Sequence, residues 1–168
     1  YAQKPVNGTG DLTFSRASSA TRVNEQGLIE TPSVIGSELV TNGDFATDTN
    51  WTKGTGWSVS GGMANSDGTQ TGFSNLSQAT TASVGSSYIV SYTISNYISG
   101  SVSAKIGASS SATTRSSNGF FSEVMVCGTN NQIYTIANSS FVGSVDNVSV
   151  KEVITSNIPR IDYSNGCG

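Results

Sequence analysis

The strictest constraint on the fold is a stretch near the middle of the chain in which apolar and polar residues alternate. Residues 88–95 read Tyr-Ile-Val-Ser-Tyr-Thr-Ile-Ser, and a strand built from them would carry on one face Tyr88, Val90, Tyr92 and Ile94. A period of two residues is that of a β-strand with one buried and one solvated face. The pattern therefore predicts a strand that packs these side chains into a core.

Shorter runs of the same character lie on both sides of this stretch. They are residues 101–106, 120–126 and 133–136, and Trp57 shares a predicted inward face with Val59. Short strands about ten residues apart, separated by turns rich in Gly, Ser, Thr and Asn, are typical of a sandwich or jelly roll. No stretch of useful length has the 3.6-residue period of a helix. The sequence therefore predicts an all-β fold, a jelly-roll β-sandwich.

Two motifs are predicted to open and close this sandwich, which we place at residues 36–154. Residues 38–45 read Glu-Leu-Val-Thr-Asn-Gly-Asp-Phe, and residues 143–150 read Gly-Ser-Val-Asp-Asn-Val-Ser-Val. Each combines apolar residues with turn residues, as short strands do. We expect them to be the first and last strands and to lie side by side.

The segments outside the sandwich, residues 1–35 and 155–168, are predicted to be two short β-containing flanks that form one discontinuous unit. The first is comparatively rich in charge. Within it, Asn-Glu-Gln-Gly at residues 24–27 is expected to form a hairpin turn between Val23 and Ile29. The sandwich is thus expected to be an insertion between two parts of another unit.

Composition narrows the partners of the chain. Charged residues make up 11% of it, the net charge is −3 and the pI is near 4.7. Nucleic acid binding needs a basic surface, and a bilayer-spanning helix needs about 20 consecutive apolar residues. The sequence shows neither, so we expect no nucleic acid partner and no membrane insertion.

Composition also argues against catalysis. The chain has no histidine, which excludes Ser-His-Asp and Cys-His arrangements. Asp and Glu occur singly on predicted turns and flanks, so no pair of carboxylates is indicated. Cys127 and Cys167 could form one disulfide or remain two thiols, and neither has a predicted base beside it. We expect a protein that is not an enzyme.

The flanks resemble one motif of tailed-phage virion proteins, which are fibre, tail or head-decoration proteins. The resemblance lies in residues 10–30 and 157–168, and its most specific residues are Arg16, Ala17, Thr21, Arg22, Val23, Asn24, Gly27 and Leu28. It implies a location on the virion surface or outside the cell. It also implies two kinds of partner, namely copies of the chain in an oligomer or fibre and other virion proteins.

The inserted sandwich resembles the jelly-roll carbohydrate-binding modules of bacterial glycanases, families four, nine and twenty-two. The similar residues are Asn42-Gly-Asp-Phe45, the pair Trp51 and Trp57, and Val145-Asp-Asn-Val-Ser-Val-Lys-Glu152. This resemblance implies cell-surface polysaccharide as a ligand.

The same resemblance implies a structural Ca²⁺ where the first and last strands meet. Calcium prefers six to eight oxygen ligands, and the carboxylates of Asp44 and Asp146 could supply two of them. The alternative is that Asp44 caps a turn and Asp146 pairs with the adjacent strand end.

A sugar-binding surface needs an exposed aromatic ring beside amide or hydroxyl groups, because the ring covers the apolar face of a pyranose. The candidate rings are those of Trp51, Tyr97 and Tyr134. Their candidate polar partners are Asn50, Asn96, Asn130 and Gln132. The alternative is that these aromatics pack in the core, as aromatics of small sandwiches usually do.

Three functions remain open from the sequence. The first is a non-enzymatic phage fibre or decoration component whose sandwich binds surface glycans and so aids adsorption to a host. The second is a purely structural fibre or filament subunit that binds no sugar. The third, which the virion-like flanks argue against, is a secreted polysaccharide-binding module.

Overall fold

The computed structural model describes residues 22–23, 29–30, 34–108 and 112–154. These residues form strands, turns and bends, without a helix. In the part of the chain just defined, no helix is long and apolar enough to cross a membrane. The strands in chain order are β1 (Arg22–Val23), β2 (Ile29–Glu30), β3 (Val34–Glu38), β4 (Thr52–Lys53), β5 (Trp57–Ser60), β6 (Met63–Asp67), β7 (Ser74–Ala79), β8 (Ser87–Ser99), β9 (Val102–Ile106), β10 (Gly119–Val126), β11 (Gln132–Ala137) and β12 (Val142–Ile154).

Strands β1 and β2 form a small sheet of their own. They pair antiparallel, with Val23 opposite Ile29. The predicted turn at residues 24–27 lies outside the described residues. The rest of the virion-like motif, including Cys167, lies outside the described residues.

Residues 35–154 form one compact unit built from two antiparallel sheets. The larger sheet has the strand order β10-β8-β12-β6-β5, and β3 also pairs with β12. The smaller sheet has the order β4-β7-β11-β9. Their inner faces share one hydrophobic core. The prediction of an all-β sandwich is confirmed.

The alternation that predicted a central strand is reproduced in β8. Tyr88, Val90, Tyr92 and Ile94 are all buried, whereas the residues between them are half-exposed. The predicted inward side chain of Trp57 is buried too, and its ring lies 6.1 Å from that of Phe141. Truncating a buried side chain of this size costs about 2–5 kcal/mol of stability, so this shared face is a main source of folding free energy.

The smaller sheet supplies the opposite wall of the core. Its inward residues come from alternate positions of three strands, and they include Leu76 of β7, Ile106 of β9 and Ile133 of β11. Because side chains of a strand alternate between its faces, the residues between these point away from the core. The sequence of the smaller sheet therefore defines an outer face as strictly as it defines the core.

The prediction that residues 38–45 form the first strand is wrong, because only Glu38 of that stretch lies in a strand. The strand that does open this unit pairs with the last one, β12. This opening strand is β3, which ends at Glu38, and residues 39–45 form turns and bends. The Glu38 carboxylate holds this loop to the last strand, because its Oε1 accepts the N–H groups of Leu39 (3.1 Å), Val40 (3.0 Å) and Val150 (2.8 Å). The Leu39 N–H also donates to the Val150 carbonyl at 2.9 Å, so both side-chain and backbone hydrogen bonds hold the loop to β12.

A bulge in β12 brings this loop close to the last strand. Its pairing with β8 shifts register between Asp146 and Ser149, where Asn147 has a φ of 53°. Asn tolerates this left-handed conformation better than most residues, and a bulge places an extra residue in the strand. The bulge buries Val148, whose N–H donates to the Gly43 carbonyl at 2.9 Å.

Strand β10 forms one edge of the larger sheet and has an apolar outer face. Phe120, Val124 and Val126 share a parity, as the sequence indicated, and that parity points to solvent. Phe120 is 67% exposed and Val124 is 65% exposed. The face of β10 toward the core instead carries Phe121 and Met125.

Candidate functional site

The outer face of the smaller sheet combines one aromatic ring with amides, hydroxyls and a cation. In one row across the sheet, Tyr134 lies between Ser77 and Lys105, and Ser77 pairs in turn with Thr52. We define this outer face by the outward residues of its four strands, which are Thr52, Asn75, Ser77, Ala79, Ser103, Lys105, Gln132, Tyr134 and Ile136.

The Tyr134 ring is held in place from the turn before β11. Its hydroxyl accepts a hydrogen bond from Asn130 Nδ2 at 2.8 Å. The Asn130 side chain also accepts a bond from the backbone N–H of Gln132, at 3.4 Å. Tyr134, Asn130 and Gln132, which were predicted as ring and polar partners, therefore come together at one end of β11.

One groove borders this ring and a second lies next to it, and Asn75 lines both. The smaller one, of about 190 Å³, is lined by Asn75, Lys105, Ala108, Tyr134 and Ile136. The larger one, of about 530 Å³, lies on the β4 side of the same strand and has Asn75 in its wall as well. One continuous surface therefore offers amide groups beside apolar ones.

Phe73 adds a second aromatic ring to this surface. It directly precedes β7, lines the larger groove and is 83% exposed. Its exposed fraction is larger than that of any other large apolar side chain among the described residues. Phe73 and Tyr134 are thus two accessible rings on the two sides of Asn75.

The expectation that Trp51 is an exposed ring is wrong. Its side chain is only 7% exposed, lies 5.1 Å from the ring of Phe45, and donates from Nε1 to the Asn42 carbonyl at 3.0 Å. It anchors the loop that precedes β4, because burying the indole also satisfies its N–H group. Asn50, the next residue, is exposed and accepts a hydrogen bond from the Thr49 hydroxyl. It is far in sequence from the other predicted polar partners.

Tyr97 and Asn96 lie together at the end of β8, on the other sheet. The Tyr97 ring is 6.5 Å from Phe141 and its hydroxyl donates to the Gly100 carbonyl at 3.0 Å. Asn96 Nδ2 donates to the Ser144 hydroxyl at 3.1 Å. Both side chains therefore support the strand end, and neither belongs to the outer face of the smaller sheet.

The two predicted calcium ligands belong to segments that touch each other, next to the contact between Gly43 and Val148. Asp44 Oδ1 accepts the Ala46 N–H at 3.4 Å, which is the predicted alternative of a turn cap. Both carboxylate oxygens of Asp146 accept hydrogen bonds from Asn147. Within residues 34–108 and 112–154 there is no group of three or more Asp, Glu or Cys that could hold a metal. A calcium ion on Asp44 and Asp146 stays a prediction.

Cys127 is a buried residue whose surroundings favour packing over reactivity. It is buried just after β10, and its Sγ donates to the Asn130 carbonyl at 3.3 Å. Burial raises the pKa of the Cys127 thiol, which disfavours the reactive thiolate. The thiol is not paired in a disulfide.

Only Gln132 and Tyr134 of the outer face were predicted from the sequence. Asn75, Ser77 and Lys105 were missed, as was Phe73 beside this face. The first two were missed because β7, Ser-Asn-Leu-Ser-Gln-Ala, contains only one large apolar residue and shows no clear alternation. The usable signal was Leu76, whose burial makes Asn75 and Ser77 point outward. Lys105 lies in a predicted strand at the parity opposite to Ile106, which already marked it as outward.

A scan of the chain against models of known protein families found no match, and a search of curated proteins found none either.

Proposed function

We propose that the chain is a non-enzymatic component of a phage virion, a fibre or decoration protein, whose sandwich binds glycans on the outer face of the smaller sheet. The observation that carries the proposal is the position of Tyr134, an accessible ring fixed by Asn130 between Ser77 and Lys105. The virion-like flanks support a location on a virion. The carbohydrate-binding-module-like motifs support a glycan as the ligand.

The chemistry of this face suits a pyranose. Such a ring has an apolar C–H face, which an aromatic side chain covers, and a rim of hydroxyl groups that amides and hydroxyls bind. Tyr134 and Ile136 would supply the apolar contact. Asn75, Ser77 and Gln132 would supply donors and acceptors around it.

A single shallow site of this kind binds weakly, and a virion would compensate by repetition. Many copies on one particle convert later contacts into intramolecular ones and raise the overall affinity by about 10²–10⁴-fold. On this proposal the partners are other copies of the chain, other virion proteins and cell-surface polysaccharide, and the location is the virion surface.

The test is replacement of the ring. We expect Tyr134→Ala to weaken binding to any polysaccharide or array glycan that the wild-type chain retains by at least about tenfold, or 1.4 kcal/mol. Affinity electrophoresis and a glycan array supply the measurement. Phe73→Ala should weaken binding to longer chains more than to short ones, because Phe73 lines the neighbouring groove.

The matched control is Phe120→Ala, which removes an exposed ring from the other sheet. It should leave glycan binding unchanged. Failure of the wild-type chain to bind any glycan would refute the proposal. Equal losses for Tyr134→Ala and Phe120→Ala would place the site elsewhere.

A second candidate is a purely structural fibre subunit, and β10 is the observation that favours it. An edge strand offers unpaired backbone groups, and strands with apolar side chains are prone to pair with another copy. β10 combines that position with the exposed side chains of Phe120, Val124 and Val126. Under this hypothesis the sandwich is a spacer and binds no sugar.

A further inference from the structure

The carboxylates in the strands of the sandwich all lie on one of its two sheets. The four strands of the smaller sheet contain Lys53 and Lys105 but no Asp or Glu. The loops at residues 68–73, 80–86, 107–118 and 127–131 contain no Asp or Glu either. The strand carboxylates of this unit lie instead on the larger sheet, at Glu38, Asp67, Glu123, Asp146 and Glu152.

Among the three lysines of the described residues, Lys105 is the one that has no ion pair with a carboxylate. Lys53 pairs with Asp48, and Lys151 lies 4.0 Å from Glu38. Lys105 Nζ donates to the Ala108 carbonyl at 3.0 Å, and no ion pair joins it to a carboxylate of the described residues. An ammonium group has three N–H donors, so this bond fixes the side chain and leaves two donors for a ligand.

The position of Lys105 places this charge at the candidate glycan site. It pairs in register with Tyr134 and lines the smaller groove with it, opposite Asn75. A sugar stacked on Tyr134 would therefore have its hydroxyls near Asn75 and one substituent near the Lys105 ammonium. A carboxylate or sulfate there would accept charge-assisted hydrogen bonds, which are stronger than those to a neutral group.

We propose that the outer face of the smaller sheet selects acidic sugars and that Lys105 binds their anionic group. The inference rests on the proposed glycan function and adds the class of ligand to it. A chain of net charge −3 would be expected to repel a polyanion. The smaller sheet can still bind one, because the strand carboxylates lie on the larger sheet.

The experiment compares polymers that differ only in charge. The pairs are polygalacturonate with its methyl ester, alginate with its propylene-glycol ester, and dextran sulfate with dextran. Wild-type chain should bind the acidic member of at least one pair about tenfold more tightly than the neutral member. Raising the salt from about 50 to about 500 mM should reduce that preference, since exposed charges are screened. The third pair separates sulfate from carboxylate as the group bound.

Two variants locate the charge that matters. Lys105→Gln should lower the ratio of acidic to neutral affinity from about tenfold to about one. Lys53→Gln removes the lysine that Asp48 already neutralises and should leave the preference unchanged. Circular dichroism confirms that each variant folds.

The outcomes separate the two proposals. If neutral and acidic members bind equally, or if Lys105→Gln keeps the preference, the inference is overturned and the glycan function stands. If neither member of any pair binds, and the glycan array is also blank, both are overturned.

Discussion

Gly43 occupies a point where the loop before β4 touches the bulge of β12. A Cβ atom at this position would lie 2.0 Å from the Val148 carbonyl oxygen, far inside van der Waals contact, and the neighbouring group is backbone that cannot rotate away. The contact is also the one that joins the two motifs expected to bracket the sandwich. The requirement for glycine here is therefore steric.

We predict that Gly43→Ala destabilises the sandwich by about 1–3 kcal/mol or more, because either the loop or the bulge must move. Urea denaturation followed by tryptophan fluorescence gives the free energy of unfolding. Gly72→Ala is the matched control, since nothing lies within 4 Å of a Cβ built there. It should change stability by no more than about 0.5 kcal/mol. Equal stabilities of the two variants would contradict the close approach.

Tyr92 has a buried hydroxyl group without a hydrogen-bond partner in the part of the chain that the structure describes. Burial, with the Glu123 carboxylate adding to it, raises the pKa of Tyr92 from 10.0 to about 12. The unfolded chain therefore loses this proton first as the pH rises. Ionisation of Tyr92 therefore leaves the free energy of unfolding unchanged well below pH 10 and lowers it as the pH rises from 10.0 toward about 12.

We predict that the wild-type chain loses stability relative to Tyr92→Phe as the pH rises from about 8 to about 11, by on the order of 1 kcal/mol. At neutral pH the variant should be as stable as the wild type or more so, because it removes an unpaired buried hydroxyl. Urea denaturation at both pH values measures the difference. Parallel losses in the two proteins would show that Tyr92 is not the group responsible.

Single residues were predictable where a regular strand fixes which way they point. Tyr88 and Trp57 lie in alternating stretches, so their burial followed from the sequence. Trp51 lies in a loop after a polar stretch, and nothing in the local sequence shows that Phe45 and the Asn42 carbonyl enclose it. Its burial depends on tertiary contacts, which a local pattern does not contain.

At the scale of the element, the exposed apolar side chains of β10 make this edge strand a candidate for association between copies of the chain. It pairs with β8 on one side only, and its outward face carries Phe120, Val124 and Val126. Antiparallel pairing with a second β10 would satisfy the backbone groups at this edge and place these side chains next to those of the second strand. The chain would then associate through the edge of the larger sheet.

We predict that the wild-type chain associates with rising concentration and that Val124→Lys shifts it toward the monomer, because a charge in the middle of an edge strand opposes pairing. Sedimentation velocity measures the change. Val84→Lys is the control, since Val84 is equally exposed but lies in a loop. A wild-type chain that stays monomeric throughout would count against β10 as an interface.

Strands with alternating apolar residues were the predictable elements, and polar strands were not. β8 and β11 could be located from their pattern alone. β11 is one residue longer at each end than predicted, whereas β8 continues four residues past the predicted end at 95. β7 has one large apolar side chain, and its strand conformation comes from pairing with β4 and β11 on either side. Context of this kind decides strand formation more than intrinsic preference does.

At the scale of the whole molecule, the sandwich was predictable and the surface it builds was not. Repeated short strands with turns between them indicate two packed sheets. The outer face of the smaller sheet, by contrast, joins residues from β4, β7, β9 and β11, and only the pairing order β4-β7-β11-β9 brings Thr52, Tyr134 and Lys105 into one row. The sequence contains the residues but not their order in space.

Because β3 pairs with β12, the two ends of residues 35–154 lie close together. Gly36 lies against Glu152, so a Cβ on the glycine would be 3.3 Å from that of the glutamate. The entropy of closing so long a loop is lost before the contact forms, which places this pairing late in folding. Circular permutation, with these ends linked and new ones opened at the exposed Gly61-Gly62 turn, would keep every sheet contact and change only the sequence of folding events.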